Sequence, residues 1–369
     1  MALKEFIRRR WRLLLSTITL LAMVALVIAL HSHLGGVLKN LSRVSIGVLL
    51  LMVPLQLINY DAQARLYRSL FRIVGNRFRY RDMYSAAVEL NFVNHVFPSG
   101  GVTGISYFGA RLKSKTLSGS RATVVQLFKL VLVFMSFELI LLFGVTFLAV
   151  TGHVNNVTIL IASVLTTLVL AGTLVFGFVI GNKTRINAVF LTLTKGLNKF
   201  LKVIRPSHKP ETIKLINARA VFDSLSDNYK LITSHRRQLR APFLSALIIN
   251  VTEILTIYVV YLAFGHWVNI GAVILAYAVA NFAGMVSVLP GGVGIYEALM
   301  TAVLIASGVP AGLSLSVTVM YRVLSTLIQI PPGYVLYHRA LRGRSNKFSE
   351  EVAAEAQTPF GDGERERRE

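Results

Sequence analysis

Long apolar runs separated by short polar segments set the pattern of this chain. A helix crosses the roughly 30 Å hydrocarbon core of a bilayer with about 20 apolar residues. Residues 13–30, 44–60, 122–150, 158–180, 241–264 and 313–337 form unbroken apolar runs and predict about six full spans. Two further apolar regions are interrupted. Residues 83–110 are broken by Pro98-Ser99-Gly100-Gly101, and residues 270–307 by Leu289-Pro290-Gly291-Gly292-Val293-Gly294. The predicted fold class is all-α, a polytopic integral membrane protein.

Orientation follows Lys and Arg, which accumulate in cytoplasmic loops. Arg8, Arg9, Arg10 and Arg12 precede the first span and place the N-terminus in the cytoplasm. Arg65, Arg68, Arg72, Arg77, Arg79 and Arg81 read as a cytoplasmic loop, and Arg111, Lys113, Lys115 and Arg121 return the chain to the same side. The interrupted region between them is two short spans or a re-entrant hairpin; a hairpin suits halves this short. His338, Arg339, Arg342 and Arg344 place the C-terminus inside as well, so the second interrupted region starts and ends outside. The two hairpins are therefore expected to have opposite senses.

Composition excludes the soluble alternatives. Hydrophobic residues make up 54% of the chain and charged residues 15%, and the mean hydropathy is +0.61. The net charge of +22 sits between apolar runs, where it marks a cytoplasmic face and an anionic lipid surface as partner, not nucleic acid. Without cysteine the chain forms neither disulfides nor thiolate metal sites. The first apolar run is preceded by arginines as in a signal peptide, but it is long and lacks a small-x-small cleavage site, so it reads as a retained span. Residues 1–342 make one transmembrane domain in the cytoplasmic membrane.

Within it, residues 181–240 are polar, basic and expected inside. Ile186, Val189, Phe190, Leu193, Leu197, Phe200, Leu201 and Ile204 recur at helical spacing opposite Lys195, Lys199 and Lys202. This is a basic amphipathic helix on the anionic leaflet or a solvated linker helix. Residues 343–369, polar and aperiodic, are expected to form a disordered cytoplasmic tail.

The interrupted regions resemble one another. Ala87-Val88 and Asn91-Phe92 precede Pro98-Ser99-Gly100-Gly101, as Ala278-Val279 and Asn281-Phe282 precede Pro290-Gly291-Gly292. Together with the opposed orientations this predicts an inverted repeat. Lipid cannot satisfy the free backbone groups of a Pro-Gly-Gly break, so both breaks are expected to be buried or to face a wet cavity. Each break also starts a half-helix, whose N-terminus favours an anion such as phosphate. The plainer alternative is that the glycines only allow a tight turn and close packing.

Leu289-Pro-Gly-Gly-Val-Gly-Ile-Tyr-Glu297, followed by a small, apolar helix and by Tyr321-Arg322 in the last span, resembles the signature of the lysylphosphatidylglycerol synthase transmembrane-region family, also described as flippase-like or UPF0104. The likeness extends over about residues 11–341, and Asn91 to Gly101 with Arg111 matches the first signature region. The resemblance implies a stand-alone membrane domain that transfers a lipid between leaflets and is not itself an enzyme; no stretch fits the aminoacyltransferase or glycosyltransferase domain found in some relatives. Where relatives often carry Arg or Glu and an Asp early in the third spanning helix, this chain has Lys129 and no matching acid.

Ionisable residues inside spans are costly and face a cavity or a partner. Glu138, Glu253, Glu297 and Arg322 qualify. Arg322 could hold a lipid phosphate with its fork of donors, or it could lock helices by pairing with Glu253 or Glu297. The glutamates suit a cationic headgroup or a coupling proton. Glu89, Asn91 and Asn94 in the first hairpin line the same cavity or act as helix glue. The expected substrate-binding set is Arg322, Glu297, Glu253, Glu138, Pro290, Gly291, Gly292, Gly100, Gly101, Asn91 and Asn281. No spacing suggests a metal or nucleotide cofactor. The reading is translocation of a phospholipid or polyprenyl-phosphate lipid, with a homodimer or a synthase as possible partner. The alternative is a membrane enzyme or accessory subunit of phospholipid or glycan synthesis.

Overall fold

The structure, a computed structural model, describes residues 44–96, 111, 119–151, 156–180, 185, 234, 236–286 and 294–357. Among the described residues every regular element is helical. A helical turn, Ile46–Leu49, leads into α1, Met52–Ile73. Then come α2, Tyr80–Val96, α3, Gly119–Val150, and α4, Asn156–Ile180. A 3-10 turn, Arg236–Leu239, opens α5, Arg240–Ala263, which is followed by α6, Ile270–Val286, α7, Ile295–Ala306, and α8, Ala311–Gln357.

Two boundaries differ from the apolar pattern. α1 continues to Ile73, through the Arg65 to Arg72 segment expected to be a loop, because that segment is two-faced. Ala62, Leu66, Tyr67, Leu70 and Phe71 are buried while Arg65, Arg68 and Arg72 are exposed, the 3.6-residue period of a helix at an apolar–polar boundary. α8 likewise runs on to Gln357, into the segment expected to be aperiodic, where Glu350, Glu351, Ala353, Ala354 and Glu355 are strong helix formers.

Four stretches are long and apolar enough to cross a membrane: Ile46–Ile73, Val124–Val150, Arg237–Ala263 and Ala311–Ala340. The apolar part of α4 is shorter, as are α6 and α7. At 1.5 Å per residue the 12 residues of α7 extend only about 18 Å, well short of a bilayer core. The outer surface is apolar: Leu142 and Phe143 of α3 are 60% and 61% exposed, and Leu174 and Phe178 of α4 are 64% and 60% exposed. A soluble protein rarely exposes such a band. The first apolar run (13–30), both Pro-Gly breaks and the basic helix expected over residues 186–204 lie outside the described residues.

α1 and α5 pack antiparallel at the centre. Near one end Ser45 N–H donates to the Ala263 carbonyl at 2.9 Å, and in the middle Asn59 Nδ2 donates to the Ile249 carbonyl at 3.1 Å. Their C-termini are built alike. Gly75 and Gly265 have φ of 85° and 75°, a left-handed conformation that spares glycine the Cβ penalty. The next N–H in each reaches back across the turn, Asn76 to Phe71 O at 2.9 Å and His266 to Tyr261 O at 3.1 Å, capping otherwise orphaned carbonyls. A 17-residue helix follows each cap, and each begins five residues after its glycine. Asn91-Phe92 and Asn281-Phe282 then occupy the same twelfth and thirteenth positions of α2 and α6.

The following packing is crossed. Phe92 of α2 meets Tyr334 of α8 edge-on at 6.0 Å, whereas Phe282 of α6 stacks on Phe134 of α3 at 5.6 Å. Both contacts are close. A Cβ on Gly333 would collide with Phe92, and one on Gly271 would collide with the Gly144 carbonyl and come within 2.7 Å of Leu148. Small residues at such crossings let helices approach where there is no water to drive them together.

Gly271→Ala is expected to lower the thermal unfolding temperature in detergent, because backbone cannot yield to the added methyl; overpacking costs about 1–3 kcal/mol. Gly172→Ala in α4, with nothing within 4 Å, is expected to be neutral or stabilising. Equal effects of the two substitutions would count against the tight α3–α6 crossing.

Candidate functional site

Four helices bring polar groups together near the middle of the spans. Glu253 lies at the centre of α5. Tyr321 OH from α8 donates to its Oε2 at 3.2 Å, and Asn59 Nδ2 from α1 approaches its Oε1 at 3.3 Å. The same amide nitrogen also donates to Thr252 Oγ1 at 2.9 Å, so Asn59 ties α1 to two successive residues of α5. Gln63, one turn on, donates from Nε2 to Asn59 Oδ1 at 2.7 Å. At the far end Lys129 Nζ of α3 reaches Gln63 Oε1 at 3.5 Å. The donors therefore point one way, from Lys129 through two amides to the Glu253 carboxyl.

Arg322 follows Tyr321 on α8 and turns to α7. Its Nε donates to Glu297 Oε1 at 3.0 Å, with Glu297 4% exposed. The other carboxyl oxygen accepts the Gly294 N–H at 2.6 Å. Gly294 caps α7 with φ of 90°, so Glu297 fills an orphan N–H of the first turn from the third helical position. An acidic side chain there also suits the positive end of the helix dipole. The guanidinium lies 4.3 Å from the ring centroid of Tyr296, which adds a cation–π contact. Arg322 thus joins α8 to the N-terminus of α7.

Of the site residues expected from sequence, Glu253, Glu297 and Arg322 sit in one region. Among the described residues Glu138 does not join them by hydrogen bond: it is half-buried on α3, and its Oε2 is enclosed with no partner among those residues. Asn281 spends its amide on its own helix, donating to Tyr277 O at 3.0 Å. The Asn91 carbonyl lies 2.9 Å from His95 Nδ1. Pro290, Gly291, Gly292, Gly100 and Gly101 lie outside the described residues. Glu89, 1% exposed, is held by Arg111, with Nε to Oε2 at 2.8 Å. Among the described residues no three acids or histidines gather as a metal site.

Asn59, Gln63 and Gln126 were not singled out from sequence. Their signal was present: Asn59 and Gln63 are polar residues one helical turn apart and, with Gln56, form a buried polar stripe on a helix that lies within a candidate span.

The fold and this buried centre define a multi-pass helical membrane protein with an internal polar cluster. Residues 11–333 match the family described as Lysylphosphatidylglycerol synthase TM region. The chain belongs to that family. It is similar to three archaeal proteins named UPF0104 membrane protein. With MJ1595 of Methanocaldococcus jannaschii it shares 23% identity over 327 residues, 87% of this chain and 93% of that protein. PH1989 of Pyrococcus horikoshii is 30% identical over 110 residues, 30% of this chain and 33% of the relative. A Methanothermobacter thermautotrophicus protein is 36% identical over 83 residues, 22% and 25% of the two chains.

Arg322→Gln is expected to destabilise the protein by about 3–5 kcal/mol, the cost of stranding a buried partner charge. Combining it with Glu297→Gln should restore part of that loss in a double-mutant cycle of thermal unfolding. Additive losses would show that the two side chains do not depend on each other.

Proposed function

We propose that this protein moves a phosphate-bearing or otherwise polar lipid between the leaflets of a cytoplasmic membrane. The observation that carries this reading is the polar centre built by Asn59, Glu253, Glu297, Tyr321 and Arg322, at mid-depth, from four different helices. Ionisable groups at that depth are expensive and mark substrate pathways. A headgroup crossing the bilayer needs polar partners at the level where lipid offers none, while its acyl chains stay in the bilayer.

The architecture supports the same reading. Antiparallel α1 and α5, their matching glycine caps and the matching 17-residue helices are what an inverted repeat requires. In such a repeat the site lies between halves that rock against each other. The shortness of α6 and α7 favours a re-entrant hairpin there, with residues 83–110, which begin within α2, as the opposite-sense counterpart. The name of the family joins its members to a lipid-modifying synthase, which favours a lipid as cargo and leaves room for a synthase as partner. Both termini are assigned to the cytoplasm by the positive-inside count.

Reconstitution tests the proposal. Vesicles containing the protein and a trace of fluorescent phosphatidylglycerol should lose inner-leaflet as well as outer-leaflet fluorescence to an external quencher. Glu253→Gln and Tyr321→Phe should each slow the inner-leaflet phase about tenfold, equivalent to about 1.4 kcal/mol, with folding retained. Vesicles that keep their inner-leaflet signal with native protein would overturn the transport reading.

A further inference from the structure

Lys129 and Gln126 stand one turn apart on α3 and share a neighbour, Tyr67 of α1. The Tyr67 hydroxyl donates to Gln126 Oε1 at 3.1 Å, and the Lys129 ammonium lies 4.9 Å from the centroid of the same ring. Gln126 is only 8% exposed, yet among the described residues its Nε2 has no acceptor. Lys129 is half-buried within the Val124–Val150 span. Among the described residues its hydrogen-bond acceptor is Gln63 Oε1, at a long 3.5 Å. Among the described residues no carboxylate lies within 4.0 Å of it.

An ammonium has three donors and no acceptor, and a primary amide has two donors on its nitrogen. What is missing at this place is therefore always an acceptor. Glu253 compensates the Lys129 charge only through two intervening amides and fills none of these donors. A buried donor left unfilled costs roughly 1–3 kcal/mol, and more when charged. A water can accept from one or two of these donors but brings no negative charge. A cation and an uncharged donor converging from one helix face suit a ligand that brings negative charge and several oxygens.

We propose that Lys129 and Gln126 form an anion site that takes the phosphate of a phospholipid headgroup, separate from the Arg322–Glu297 pair. The lipid as source of that phosphate rests on the transport reading; the anion site does not. Ten residues of helix separate Lys129 from Gly119, about 15 Å along α3. Arg121, near that end, belongs to the basic cluster read as cytoplasmic. The phosphate would thus be held below the headgroup level of the cytoplasmic leaflet and short of Glu253. The site is a waypoint on the path, and Lys serves it as a compact point charge that a passing phosphate can leave.

Gln126→Glu separates this site from a structural role. The new carboxylate lies at i,i+3 from Lys129 and supplies the acceptor from within the protein. Thermal stability in a phosphate-free maltoside detergent should hold or rise, while retention of phosphatidylglycerol by native mass spectrometry should fall at least tenfold. Lys129→Gln should give a similar fall, and diacylglycerol, which lacks phosphate, should be retained equally by all forms. Retention of phosphatidylglycerol by Gln126→Glu at the native level would overturn the proposal. So would a Lys129→Gln protein that only melts earlier. Lys129-dependent binding of inorganic phosphate at low millimolar concentration by a protein that retains no phosphatidylglycerol would overturn the lipid as source and keep the anion site. Phosphatidylglycerol held in a Lys129-dependent manner by a protein that moves no lipid in vesicles would end the transport reading and leave this site standing.

Discussion

The Glu253 carboxyl at the centre of α5 is the group around which the rest is arranged. A carboxylate at mid-span costs several kcal/mol unless other groups take the place of water. Here Tyr321 and Asn59 do so from two other helices, and Asn59 is held in place by Gln63. Three spans are thereby fixed in rotation as well as position, because each contributes a side chain of limited reach. With Tyr321 placed, its neighbour Arg322 must point elsewhere, and it meets Glu297 at the first turn of α7. A single buried acid thus sets the register of α1, α5 and α8, and through Arg322 the seat of α7.

Polar contacts of this kind give orientation, and the tight crossings give proximity. Between apolar helices in lipid there is little hydrophobic gain from association, so close packing and hydrogen bonds must supply it. Gly271 beside Gly144 and Gly333 beside Phe92 bring α6 onto α3 and α2 onto α8. Each 17-residue helix therefore rests on a long helix from the other half of the chain. The two halves are interlocked by these contacts.

Hydropathy and charge made much of this legible. The runs at 122–150 and 241–264 correspond within a few residues to α3 and α5, because an apolar helix ends where polar side chains reach the interface. The same logic placed the end of α1 too early: Arg65, Arg68 and Arg72 signal an interface, but a helix can continue through one when its other face stays apolar. Arg322, Glu297 and Glu253 stood out as charges in apolar runs. Their partners were harder to read, since hydrogen-bond geometry between helices far apart in sequence leaves no local pattern. Asn59 and Gln63 look like tolerated polar residues until Glu253 is seen opposite them. Glu138 and Asn281 carried the same signal as Glu253, yet among the described residues neither is hydrogen-bonded to it, because polarity within a span does not say which way a side chain faces.

The numbering of the two halves shows how similar backbones come to differ in chemistry. The offset that aligns Gly75 with Gly265 and Asn91 with Asn281 is also the separation of Asn59 and Ile249, which touch across the α1–α5 crossing. In the proposed inverted repeat a contact between equivalent positions lies on the pseudo-twofold axis. Under the same offset Gln63 corresponds to Glu253. The pair flanks that axis with an amide on one side and an acid on the other, linked through Asn59. Two acids there would repel one another in a low dielectric, and two amides would leave Lys129 without a compensating charge. One acid and one amide permit a single negative charge at the axis with a polarised route from Lys129 towards it. The halves can then share a fold, which a symmetrical rocking motion needs, while the centre keeps a direction from Lys129 to Glu253 that symmetry alone would erase.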